Sequence, residues 1–251
     1  MADKHVTPKE FRNTVAKELD QLGALLVSEQ ICVDASPLHG ASSKCQSYSG
    51  DQWGYDFAGL TLKVGDSVKC IPTHITKFTC RLDVLVTGSV KKLPPQADPL
   101  EQLQVQIELR ADNKKNPSNP FLQAWHFDRH PGPCAAPKTA HPRYHLSVGG
   151  NRIKAYLSQL GKPHFDGVLL LDSPRLSHPP LDGILAIDFV LSHFSGSDWR
   201  RLSQLPAYQR IVSSSVARLW QPYAHALCVH WSMDHAAKKV WPIAELWPTV
   251  L

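Results

Sequence analysis

The sequence predicts an α+β protein with an N-terminal helix, an antiparallel β-meander, and C-terminal helices packed on one face of the sheet. Three observations predict it. Apolar residues recur at helical spacing near the start, alternate with period two through the middle, and return to helical spacing after residue 181. At 251 residues the chain fits one domain, taken as 1–251, with a helix over 8–28, a sheet over about 52–148 and a helical half over 152–251.

The first helix is marked by Thr7, Pro8 and Glu10, a capping box followed by Phe11, Val15, Leu19, Leu22 and Leu26 at one-face spacing. Ser36 to Gly50 is rich in Ser, Gly, Pro and Lys and reads as a loop. Trp53, Tyr55 and Phe57, then Leu60, Leu62 and Val64, read as two short strands split by Gly59. A firmer strand covers 77–90, with Phe78, Cys80, Leu82, Val84 and Val86 in phase. Three further runs, at 103–110, 121–130 and 143–148, complete the meander. Val168 to Leu171 has a short buried-strand pattern. One helix follows from Leu181 through Phe194, and another over about 198–220, closed by Pro222. The tail from Tyr223 reads as one more helix and an extended finish.

Composition excludes several classes. With 43% hydrophobic and 20% charged residues the chain is neither disordered nor fibrous. A net charge of +5 admits phosphate-bearing partners, but the basic residues fall only in pairs such as Lys114-Lys115. The six cysteines are scattered and the start lacks an apolar leader pattern. A cytoplasmic protein with reduced thiols and no membrane span is therefore expected. There is no glycine-rich nucleotide loop, no G-x-S-x-G elbow, no H-E-x-x-H and no paired-cysteine zinc pattern.

The chemistry concentrates in the last three runs of the meander. Four of the 13 histidines, His126, His130, His141 and His145, fall within residues 126–145. Strand alternation sends Glu108, Arg110, His126, Asp128, Arg143 and His145 to one face, and Arg129 to the other. Converging imidazole and carboxylate groups suit acid/base work, with His126 or His145 moving a proton, Asp128 orienting a ring, and Arg110 and Arg143 meeting phosphate charge. The same residue types suit a divalent metal such as zinc on His126, Asp128, His130 and His141. The plain alternative is a solvated polar face with cross-strand ion pairs. Three other places stand out: Cys134 in its proline loop, Asp172, Arg175 and His178 before the late helices, and Asp188 among apolar neighbours. Asp188 is expected to pair with Arg152 or Arg175.

In element order alone, the layout resembles the ubiquitin-conjugating fold. That family has His-Pro-Asn before its catalytic cysteine; here His141-Pro142 is followed by Arg143, and Cys134 precedes it. His74-Ile75-Thr76 and His145-Leu146-Ser147 resemble the paired motifs of two-histidine phosphoesterases, which act on phosphodiesters without metal. His193-Phe194-Ser195 and His230-Trp231-Ser232 share the pattern. The expectation is a protein directed at a phosphodiester or nucleic acid, RNA or DNA, and so a nuclease or toxin-like effector of a bacterial defence locus. The alternative is a non-catalytic subunit that docks a protein partner through Trp231, Trp241 and Trp247.

Overall fold

The computed structural model describes residues 6–65, 75–92, 98–115, 120–130, 141–149, 164–165, 168–169 and 175–231. Helix α1 spans Pro8–Ser28 and carries the expected capping box. Thr7 Oγ1 accepts from the Glu10 amide at 3.2 Å, and Glu10 Oε2 accepts from the Thr7 amide at 2.8 Å. Such a cap contributes about 1 kcal/mol. Val15, Leu19, Leu22 and Leu26 are fully buried along one stripe.

The Ser-rich stretch is a helix, not a loop. Helix α2, Ser36–Ser47, starts where Asp34 Oδ1 accepts from the Ser36 amide at 2.8 Å, and it buries Leu38, Ala41 and Cys45. Its apolar stripe is built from small side chains, so the hydrophobic signal is faint while the spacing remains helical.

Six antiparallel strands follow in meander order: β1 (Gln52–Lys63), β2 (Ile75–Ser89), β3 (Leu100–Asn113), β4 (Phe121–Arg129), β5 (Tyr144–Val148) and, after a separate pair, β8 (Leu176–Ser177). The separate pair is β6 (His164–Phe165) with β7 (Val168–Leu169). The two short strands expected around Gly59 are one. Gly59 sits at φ +77° in a bulge between Phe57 and Leu60, where β1 gains one residue on β2 without leaving the ladder. The margin of β1 is occupied at both ends. Arg12 Nη1 donates to the Gly50 and Gln52 carbonyls at 2.7 and 3.1 Å, and the Lys63 amide donates to the Ile31 carbonyl at 2.8 Å. Between them, Lys44 of α2 pairs with Asp56.

Helices α3 (Gly183–Phe194), α4 (Gly196–Leu202) and α5 (Pro206–Trp231) close the core. Their buried residues Ile184, Ile187, Leu202, Ile211 and Leu219 join one cluster with the even-numbered face of β2 and the odd-numbered face of β3. The helix expected over 198–220 is two helices, because Pro206 cannot continue α4 and starts α5. Pro222 does not close α5; the helix runs through it to Trp231, with Leu219 and Tyr223 buried on either side. Of the helical half expected from 152, residues 152–163 lie outside the described ones, and residues 164–165, 168–169 and 176–177 form short strands before the helix at Gly183.

Two buried polar groups tie these layers together. Arg218 of α5 donates through Nη2 to Glu18 Oε2 of α1 at 3.0 Å and to Asp182 Oδ2 at 3.4 Å, while Asp182 Oδ1 caps α3 by accepting from the Leu185 amide at 3.0 Å. Among the described residues Asp188 finds neutral donors, and Arg152, one of its two expected partners, lies outside them. Asp188 Oδ1 accepts from Trp199 Nε1 and from the Tyr208 hydroxyl, both at 2.9 Å. Hydroxyl and indole donors satisfy a half-buried carboxylate without enclosing a second charge. No helix of the described residues is long and apolar enough to cross a membrane.

Candidate functional site

The register decides which of the expected residues meet. His126 lies opposite Gln106 on β3 and Ser147 on β5, and Asp128 lies opposite Gln104 and His145. Glu108, His126, Asp128 and His145 thus share the face away from the helices, as alternation requires. Arg110 shares that face but sits six positions along β3 from Gln104, about 20 Å at ~3.4 Å per residue. It is exposed there, opposite Leu122, and does not reach His145.

Arg143 takes another direction. It precedes β5, and its Nη1 donates to Asp98 Oδ2 at 2.8 Å. Arg129, on the apolar side of β4, donates to the same oxygen from Nε at 2.9 Å and to the Glu101 carbonyl from Nη1 at 2.8 Å. The Tyr144 hydroxyl donates to Asp98 Oδ1 at 2.5 Å. Both arginines thus bond the Asp98 carboxylate.

The imidazoles form a short series. The His130 and His141 ring centroids are 4.2 Å apart, and those of His141 and His145 are 4.7 Å apart. The His130 amide donates to the Arg143 carbonyl at 2.7 Å, which carries the β4–β5 pairing one residue past β4 and brings His130 level with the others. His145 is only 3% exposed. Its Nδ1 lies 3.1 Å from the Pro142 carbonyl, and a carbonyl can only accept, so Nδ1 carries the proton and Nε2 holds the free lone pair.

His126 is held on both nitrogens, by Gln106 Nε2 at Nδ1 and by Asp128 Oδ2 at Nε2. Neither is left for a substrate. Asp128 keeps its other oxygen, Oδ1, buried and, among the described residues, without a hydrogen-bond partner. A buried acceptor left open is costly, and such groups concentrate where chemistry is done.

Burial pushes the His141 ring down to about 4, helped by the Arg175 charge and by His145 and His130, and opposed by Asp128. Burial also lowers His145, with the Pro142 carbonyl and Asp128 opposing and Arg175 and His126 assisting. Arg175, just before β8, thus stands close enough for its charge to act on both rings. It enters through a two-residue strand that periodicity does not reveal, although Arg175 itself stood out in the sequence.

These lowered values have a consequence for stability. Between about pH 6.5 and 4 the unfolded chain binds a proton at His141 that the folded chain refuses, so this contribution is complete above the upper end and falls on acidification through that window; His145, also lowered, acts in the same direction. His141→Ala should flatten this slope in urea titrations at pH 7.5 and 5. An unchanged slope would mean that His141 protonates freely in the fold.

Among the described residues, no group of three or more His, Cys, Asp or Glu side chains is placed to hold a metal ion. His130 and His141 are in contact, while His126 and Asp128 bond to each other, so the four candidate metal ligands do not meet as one donor set. His74, Cys134, Asp172, Arg152, Trp241 and Trp247 lie outside the described residues. Comparison with protein-family models, curated proteins and solved structures finds no match to this chain.

Proposed function

We propose that the β4–β5 face is an acid/base site for a phosphodiester, with RNA or DNA as the substrate class. The observation that carries this reading is His145, a buried imidazole held by Nδ1–H with Nε2 unprotonated, opposite Asp128, whose Oδ1 has no partner among the described residues. In this reading Nε2 takes the proton of an attacking hydroxyl as its oxygen bonds to phosphorus. The imidazolium returns that proton to the departing oxygen as the other P–O bond breaks. Asp128 stabilises the charged ring, and Arg175 meets the charge growing on the phosphoryl oxygens in place of Arg110 and Arg143.

Fluorescent RNA and DNA substrates test the proposal. The parent chain is expected to cleave one of them. His145→Ala should slow that cleavage about a hundredfold or more, with the circular dichroism spectrum unchanged. Equal rates for the two proteins, or an inactive parent, would reject it.

A second reading, a non-catalytic subunit, is favoured by Trp231 and Trp220 of α5, which are 63% and 37% exposed. Sizing the chain with and without candidate partners separates it from the first.

A further inference from the structure

The polar face of β3 and β4 contains a chain of hydrogen bonds with a defined direction. Gln106 of β3 faces His126 of β4 in direct register, and the amide nitrogen of Gln106 contacts His126 Nδ1. An amide nitrogen only donates, so Nδ1 is the acceptor and the ring proton belongs on Nε2. Nε2 in turn donates to Asp128 Oδ2. One carboxylate oxygen is thereby fixed; the other is buried and, among the described residues, unbonded, on the residue that faces His145 of β5 in register.

We propose that Gln106 is a positioning residue. It sets the tautomer of His126, and His126 holds Asp128 so that its open oxygen serves His145. This rests on the acid/base reading of His145 given above. It also reassigns His126, whose two nitrogens are both occupied, from proton carrier to support. The arrangement follows the general way in which an outer hydrogen bond fixes a ring and the carboxylate beyond it.

Gln106→Leu and Gln106→Glu test it on the full chain. Leu removes the donor, whereas Glu offers Nδ1 an acceptor and so demands a proton there. Nitrogen-15 NMR of the histidine rings should show His126 protonated on Nε2 alone in the parent, a loss of that single state in Gln106→Leu, and a proton on Nδ1 in Gln106→Glu. Both variants should lower kcat about tenfold or more, with KM nearly unchanged. A parent ring protonated on Nδ1 would overturn the proposal, as would variants with unchanged kcat. The NMR measurement stands apart from cleavage: His126 protonated on Nε2 in an inactive parent rejects the enzyme and leaves the hydrogen-bond chain in place, whereas a proton on Nδ1 in an active parent rejects the chain alone.

Discussion

Arg218→Met should cost the fold about 3–5 kcal/mol, read as a lower urea midpoint. The side chain is 5% exposed and bridges Glu18 and Asp182, which are 10% and 0% exposed. Methionine fills most of the volume but leaves two buried carboxylates facing each other without a counter-charge. The guanidinium also stands 5.8 Å from the Phe11 ring centre, so a cation–π contact is lost with it. Adding Glu18→Gln and Asp182→Asn to Arg218→Met should recover much of the loss, because asparagine can still cap α3 and no charge remains buried. A single variant within about 1 kcal/mol of the parent would show that the three groups are solvated in solution.

Asp98→Ala should be of similar size, about 3–5 kcal/mol. This carboxylate, 11% exposed, accepts from Arg129, Arg143, Tyr144 and the Leu100 amide, and so joins the start of β3 to the end of β4 and the start of β5. Removing it strands two guanidiniums in a nearly closed place. Asp98→Asn keeps the shape and some of the acceptor capacity, so it should lie between alanine and the parent. Equal unfolding midpoints for Asp98→Ala and the parent would refute the assignment.

Much of the fold was legible because its signals are local. Thr7, Pro8 and Glu10 mark the start of α1 at Pro8, and the alternation of Leu103 to Leu109 gives the buried face of β3. The legible part of the site was the shared face of His126, Asp128 and His145, since period two fixes it once the strands pair. What remained hidden depends on contacts distant in sequence. The bond from Arg143 to Asp98, the double bonding of His126, and the approach of Arg175 just before β8 follow from register and turn geometry, which alternation alone does not contain. The α2 helix was hidden for a different reason: Ala41, Ser42 and Cys45 bury too little apolar surface to stand out from a turn-rich composition.

The guarded margin of β1 bears on how molecules of this protein behave when crowded. An open outer strand is a template on which a neighbouring chain adds its own, and repeated addition produces fibrils. Here Arg12 and Ile31 already take up main-chain groups at the two ends of that strand, Lys44 sets a charge beside its middle, and at the opposite margin β8 spans two residues. Loosening α1 or α2 would bare the longer margin first, so aggregation should begin from that partly opened state rather than from the intact molecule.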